Sequence, residues 1–370
     1  MSSRVIRSFY RILFRTAKQH DKYPGLKALL IAAPGRFYDH RTKSWKPSED
    51  KVATNEQKLI EPYVRRLNGG GNFYLPEVKA VNVIRESFRS PMDGNTNKDL
   101  LFDAATGAIK SLERNLAKGR EIGIFEQRPP SGGPRYNISL AKESSFMRGQ
   151  FLLAHPLLSF SLNRGVLIVL KHEEADGTLG VMLNRKTKLK VADLMKTSSA
   201  RDRSQNVKRG LREFADCPVY KGGGMSSNFI SILHPHGDLE GSCKILDGVY
   251  WQCDLDAASE KVRRGEAKTS DFKFIMGFAG WGPRQLHGEL ENHAWLLAKA
   301  GNEDTNAAKG EQGTVLPAID LVYCDAEHLE DFDPDVFQET CDDSANLVWS
   351  QAWRSLPGKE HEHIAMLPVF

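Results

Sequence analysis

His234, His236 and Asp238 alternate in the run His234-Pro235-His236-Gly237-Asp238. Alternate residues after a strand can converge on one point. Two imidazoles and a carboxylate would hold zinc there and activate water for hydrolysis. Leu239 stands where a further histidine would complete such a set, and Pro235 and Gly237 also suit an ordinary turn. A second pattern is Gly277-Phe278-Ala279-Gly280-Trp281-Gly282-Pro283-Arg284-Gln285-Leu286. Its glycines permit a tight strand-to-helix turn. A helix starting near Pro283 would aim free N–H groups at that turn, where an anion could sit. The plainer reading is preferred: the glycines let Trp281 pack over the sheet end, since no Walker pattern or paired lysine accompanies them. Gly222-Gly223-Gly224 can cradle a phosphate, or mark a bulge or a chain crossing. Asn184, Arg185, Arg284 and Gln285 stand at element ends, where they line a cleft or, the favoured reading, tie elements together.

The candidate cleft is therefore Asn184, Arg185, Gly222, Gly223, His234, Trp281 and Gln285, and the candidate metal ligands are His234, His236 and Asp238. No nucleophile stands beside a base. Gly-x-Ser-x-Gly is absent, and Cys217 before Pro218 reads as a small buried hydrophobe. Glu289 and Glu291, at i and i+2 on one helix, do not face each other. His287 and His293 lack the spacing of four that places two ligands on one helix face. The chain reads as more non-enzymatic than enzymatic, with no cofactor expected.

The elements that must position these residues fall into two groups. In the second half, Phe151 to Ala154, 165–170 and 179–183 are short apolar runs that read as buried strands. Asp176-Gly177 is a hairpin turn signal between the last two. Further strands are expected at 218–221, 229–233, 244–251 and 272–277. Helices are expected at 191–195, at 254–264, and from Pro283 with Leu286, Leu290, His293 or Ala294, and Leu297 on one face. Hairpins with inserted helices mean α+β. In the first half, residues 2–20, 76–89 and 98–118 carry amphipathic helical patterns, and 35–56 reads as a long loop. Pro129-Pro130-Ser131-Gly132-Gly133-Pro134 can neither continue a helix nor pair as a central strand, so the boundary is placed there.

The 370 residues are 40% hydrophobic and 26% charged, with net charge +4 and mean hydropathy −0.44. The chain is long enough for two cores. Apolar runs such as 166–170 are far short of the ~20 residues of a membrane helix. The five cysteines (Cys217, Cys243, Cys253, Cys324, Cys341) form no C-x-x-C pair, which argues against a disulfide framework or structural zinc. Residues 1–46 hold eleven Lys/Arg against two acids, and 303–362 hold fifteen acids against three bases. Arg4, Arg7, Arg11, Arg15 and Lys18 share an arc of about 80° on the first helix, opposite Val5, Ile6, Phe9, Tyr10, Ile12, Leu13 and Phe14. Such a helix is either a mitochondrial transit peptide or a permanent helix offering its basic side to an acidic partner.

Two resemblances rest on these residues. Gly149 to Pro156, Arg164 to His172, Gly177 to Arg185, Leu233-His234, the Gly277 to Leu286 stretch, Asn292, Trp295-Leu296, Trp349 and Trp353 together resemble the AlgH/YqgE family. Gly222-Gly223-Gly224 stands where that family usually has Gly-Gly-Pro. The resemblance covers about residues 147–358 and implies a recognisable fold without a settled activity. Departures are the insert around 198–209, His287 where an acid is usual, and the acidic segment after Gly301. Phe9-Tyr10-Arg11, then Arg15 and Phe88, resemble the LYR-motif proteins over about residues 4–118, with Phe9 in place of the expected leucine. That resemblance implies a three-helix bundle docking a mitochondrial acyl carrier protein, with Phe9, Tyr10, Arg11, Arg15 and Phe88 at the contact.

The expected architecture is α+β. Residues 1–120 form an LYR-like three-helix bundle, 121–146 a linker, 147–358 an AlgH/YqgE-like domain with a mainly antiparallel sheet flanked by helices, and 359–370 a tail. The implied function is a non-enzymatic interaction or assembly protein of the mitochondrial matrix, with plastid or cytoplasm as alternative locations. The alternatives are a regulatory or small-anion-binding module and a metal-dependent hydrolase. No membrane span is expected. No direct nucleic-acid contact is expected either, since 147–358 holds no helix-turn-helix.

Overall fold

The computed structural model describes residues 3–30, 36–39, 44–47, 61, 64–66, 68, 71, 73, 78–89, 98–125, 135–142, 146–158, 162–197, 210–301, 315–323 and 343–367. Cys324, Cys341, the prolines of 129–134, the insert at 198–209 and most of the acidic segment after Gly301 lie outside them.

The first half opens with α1 (Ser3–Lys22) and α2 (Pro24–Ala28), followed later by α3 (Ala80–Arg89) and α4 (Lys98–Glu121). Leu13 and Ala17 of α1 meet Ala80 and Ile84 of α3 and Ala108 and Leu112 of α4 in one buried cluster. The alanines let the helix axes approach closely. The expected apolar side of α1 is only partly buried: Val5, Ile6 and Ile12 are 36%, 38% and 41% exposed. The helix's first two turns run past the core, so amphipathic spacing there has nothing to bury against. Between α2 and α3, β1 (Arg36–Asp39) and β2 (Ser44–Pro47) pair antiparallel. This corrects the expected loop over 35–56, because a strand pair of four residues each leaves too short a pattern to detect.

A polar knot ties α1, α2 and α3 together. Lys27 is 1% exposed, and its Nζ donates to Asp21 Oδ1 at 2.8 Å and to Val78 O at 2.9 Å. The same carboxylate accepts from the Ala80 and Val81 N–H groups at 2.8 and 3.0 Å, so Asp21 caps α3 from another helix. Next to Asp21 in the chain, buried His20 donates Nδ1–H to Thr16 O at 3.0 Å. The Asn115 side-chain amide lies 2.9 Å from its Nε2. Burial pushes the His20 pKa down, against its two hydrogen bonds.

The second half is built on a mixed, mainly antiparallel sheet. A short β3 (Arg135–Tyr136) precedes β4 (Ile138–Leu140), β5 (Phe151–Ala154), β6 (Val166–Glu173), β7 (Gly177–Met182) and β8 (Lys186–Lys190). After α5 (Val191–Thr197) come β9 (Pro218–Lys221), β10 (Met225–His234), β11 (Cys243–Leu246) and β12 (Val249–Trp251). Then follow α6 (Leu255–Arg263), β13 (Lys273–Trp281), α7 (Gln285–Glu291) and β14 (Trp295–Ala300). Among the described residues the strand order is β11-β12-β10-β13-β7-β6-β5-β14-β4, with β9 also paired to β13 and β8 paired to β9. The β6–β7 hairpin turns at Asp176-Gly177 as expected, with Gly177 at φ +102°. Asp254 caps α6 by accepting from Ala257 N at 2.8 Å.

Two expectations near the Gly-rich stretch are corrected. The strand expected over 272–277 continues to Trp281: Gly277, at φ +77°, kinks it without ending it. The helix after Pro283 stops at Glu291, because His293 takes φ +59°. Leu297 therefore lies on a strand, not on that helix's face.

Beyond β14, β15 (Val315–Leu316) pairs parallel with β3, and α8 (Ala318–Val322), α9 (Asp343–Ser355) and α10 (Lys359–Ala365) follow. Trp349 and Trp353 of α9 and Ile364 of α10 join Phe151, Ile168 and Ile275 in one core, which also holds Leu26, Ala28 and Ile124. The Trp349 indole N–H donates to Ala154 O at 2.8 Å, ending β5 on α9.

Asp21→Ala removes the carboxylate that pairs with buried Lys27 at 2.8 Å, and with it the α3 cap. The expected loss is about 3 kcal/mol, read as a lower urea midpoint for the helical signal. Asp21→Ala with Lys27→Met should recover much of it.

Candidate functional site

Strand β13 is the centre of the second half. Along one edge it pairs with β10, Leu233 opposite Lys273. Along the other it pairs first with β9, parallel, Val219 to Phe274 through Lys221 to Met276. It then pairs with β7, antiparallel, Thr178 to Trp281 through Gly180 to Ala279. The chain must pass from β9 to β10, that is, from one edge of β13 to the other. Gly222-Gly223-Gly224 makes that crossing. Gly222 N donates to Met276 O at 2.7 Å, and its own carbonyl accepts from Met182 N at 2.8 Å. A Cβ on Gly222 would strike the Gly277 carbonyl, and one on Gly223 would lie 2.5 Å from Ala279 N. The triplet is a chain crossing, and the backbone N–H and carbonyl of Gly222 already have protein partners.

Past the crossing, the end of β13 meets α7. The Trp281 indole N–H donates to Glu289 Oε2 at 2.9 Å, and the Trp295 indole N–H donates to the same oxygen at 2.7 Å. Gln285 Nε2 donates to Glu289 Oε1 at 2.8 Å, while Gln285 Oε1 accepts from Gly282 N at 2.9 Å. The two indoles cross edge to face at 5.9 Å. Glu289 thus collects three donors, and Gln285 closes the turn over Gly282. In front of this turn lies a groove of about 530 Å³, bordered by Lys171, Thr178, Leu179, Met225, Phe278 and Trp281. Lys171 Nζ pairs with Glu173 at 2.8 Å and reaches Asp176 at 4.0 Å, all three groups being half exposed or more.

The structure separates the other expected site residues. His234 Nε2–H donates to Gln252 O at 2.8 Å, and burial lowers its pKa. His236 pairs with Asp271 at 3.1 Å, and Asp238 with Lys261. The two rings stack on Phe272, at 5.5 and 5.4 Å. Each member of the triplet has its own partner. Among the described residues, no three His, Cys, Asp or Glu side chains are grouped to hold a metal ion. Asn184 bridges two elements: its Oδ1 accepts from Val166 N, and its Nδ2 donates to Arg164 O, both at 2.9 Å. Arg185 donates to Asn163 O. Of the expected cleft, Trp281 and Gln285 border the groove. Asn184, Arg185, Gly222, Gly223 and His234 serve the packing around them. Glu289, Lys171 and Met225 were missed. The i, i+4 spacing of Gln285 and Glu289 was the available signal for the first. Strand pairing alone brings the other two to the groove.

In the first half, Tyr10 lies between Phe14 and Phe88, with centroids at 5.5 and 5.2 Å. Its ring is engaged within the chain instead of standing free. Arg11 and Arg15 are exposed, Phe9 is half-buried and Phe88 is 37% exposed. Arg85 lies over the Phe14 ring at 5.1 Å. No described helix is long and apolar enough to cross a membrane.

The family model DUF179, described as AlgH-like, matches residues 151–313. A UPF0301 protein of Chlorobaculum tepidum is 31% identical over 157 residues, which are 42% of this chain and 76% of that protein. A UPF0301 protein of Chlorobium luteolum is 34% identical over 154 residues, 41% of this chain and 74% of its own. The solution structure of the AlgH protein from Pseudomonas aeruginosa shares 23% identity. It covers 43% of this chain and 82% of that one, with a TM-score of 0.33.

Glu289→Ala leaves two indole N–H groups and an amide without their acceptor. It should cost about 2–4 kcal/mol and shift tryptophan emission, whereas Glu291→Ala, an exposed neighbour, should do neither. Burial pushes the Cys217 and Cys253 thiols up to about 11 and about 12, so on the order of one in a thousand or fewer is thiolate at pH 8. Of the three described cysteines, Cys243, which accepts from the Arg148 guanidinium at 3.1 Å, should take a maleimide first. Labelling of Cys217 and Cys253 should rise about tenfold per pH unit from pH 8 to 10, read by peptide mass mapping.

Proposed function

The chain belongs to the AlgH-like UPF0301 family, and from that premise we propose that it is a non-enzymatic docking protein whose N-terminal helices take an acidic protein of the acyl carrier type. The observation that carries the reading is the surface of α1. Arg4, Arg7, Arg11 and Arg15 are exposed, and Val5, Ile6, Ile12 and Phe88 are exposed beside them. No acidic residue occurs before Asp21. A cationic side of α1 with uncovered apolar side chains on the rest of its surface suits a partner that is acidic with an apolar stripe: charge steers the encounter and burial holds it.

Two features support a resident helix over a removable targeting segment. Leu13 and Ala17 are buried in the helical core, so removing α1 would uncover Ile84 and Leu112. The Asp21 carboxylate caps α3, so its loss would also free that helix's first turn. The compartment that fits such a carrier is the mitochondrial matrix. The resemblance to LYR-motif proteins belongs to this same reading, with Tyr10 stiffening the surface through Phe14 and Phe88, and Arg11 and Arg15 meeting carboxylates. For the AlgH-like part we propose no reaction.

The test is co-expression of the full chain with an acylated acyl carrier protein and native mass spectrometry of the purified material. A one-to-one complex is expected. It should weaken about tenfold or more in Arg7→Glu with Arg11→Glu, and weaken as salt rises. Lys299→Glu, remote on β14, should leave it unchanged. A chain that purifies folded and carries no partner overturns the reading.

A further inference from the structure

We propose that the groove between the β6–β7 hairpin and the end of β13 is a binding site for a planar aromatic anion. It lies on the AlgH-like part of the chain and stands or falls independently of the docking surface on α1. At about 530 Å³ it is within the range of small-molecule sites. Its walls are the Phe278 ring, the Leu179 side chain and the Met225 thioether, which is 51% exposed. Phe278 is held edge-on by Phe229 at 5.1 Å, so this wall is preformed. An adaptable thioether facing a fixed ring is an apt clamp for a flat apolar ligand.

The glycines of the groove carry the inference further. Gly177 needs to be glycine: its φ is +102°, and a Cβ would strike the Trp281 carbonyl. Gly282 has no such need. Its backbone is outside the left-handed region, and a Cβ there would meet nothing within 4 Å. Gly280 differs, since its Cβ would press on the fixed Phe278 ring at 3.0 Å. At Gly282 neither packing nor backbone geometry requires the position to lack a side chain. What its bareness does is keep the groove open.

The cation of the lining is Lys171, which stands on the rim with Asp176. Its partners Glu173 and Asp176 are 50% and 69% exposed, and exposed pairs of this kind contribute little. A ligand carboxylate can therefore replace either one at small cost, with its ring lying along Phe278.

The experiment uses the full chain with methyl-labelled methionine, 2-naphthoate as probe and the neutral 2-naphthamide as comparison. Met225→Leu assigns the reporting resonance. The expected result is a saturable shift of the Met225 methyl with 2-naphthoate, and binding of the amide weaker by about fivefold or more. Gly282→Ala should fold normally, since its methyl enters open space, yet weaken the naphthoate about fivefold or more. Lys171→Gln should erase the preference for the anion. A Met225 methyl that does not respond overturns the proposal. So does equal binding of acid and amide, or undiminished affinity in a folded Gly282→Ala chain.

Discussion

The second half of this protein depends on one strand having three neighbours. β13 takes β10 on one edge and divides its other edge between β9 and β7. The chain then has to cross β13 to get from β9 to β10, backbone against backbone. Only residues without a Cβ can make that crossing. Gly222 and Gly223 supply it on the crossing segment, and Gly277 supplies the kink in β13. Once the crossing is in place, β7 is registered against Trp281, and Trp281 is delivered to the end of the sheet. Everything at that end follows: the turn at Gly282, the short helix α7 and the groove.

Buried polar groups hold this arrangement to a single geometry. Glu289 gathers the N–H groups of Trp281, Trp295 and Gln285, fixing α7 to β13 and β14 at once. Arg164, at φ +48°, is kept in its unfavourable backbone region from two sides. Its carbonyl accepts from Asn184, and its guanidinium lies over the Trp349 ring at 4.6 Å. A left-handed non-glycine residue costs on the order of 1–2 kcal/mol, which the hydrogen bond and the ring contact together offset. The helical half uses the same device, with Asp21 binding Lys27 and the start of α3. Glu289 and Asp21 each join three elements through one carboxylate, beside the apolar packing those elements share.

The two halves differ in how they meet solvent. The sheet buries its apolar runs almost completely, as the four residues of β5 show. Helix α1 does the opposite at its start, leaving valine and isoleucine side chains uncovered on the sides away from its arginines. An apolar surface that the fold leaves uncovered beside a single sign of charge invites association with a partner of the other sign.

Local chemistry was legible in the sequence where neighbours in the chain decide it. The strand at Phe151 to Ala154, the hairpin at Asp176-Gly177 and the helix capped by Asp254 each depend on residues a few positions apart, and periodicity and turn preference determined them. The Gly277 to Gln285 stretch was recognisable as distinctive, but its meaning was not. The same glycines permit a turn, a kink or a crossing, and the choice belongs to β7, β9 and β10, which the chain reaches from elsewhere. His234, His236 and Asp238 show the same limit. Their alternation is a fact of the sequence, yet Gln252, Asp271 and Lys261 claim them one by one in the fold. Only the tertiary structure brought Lys171, Met225 and Phe278 to one groove, because strand pairing joins residues without regard to their distance along the chain.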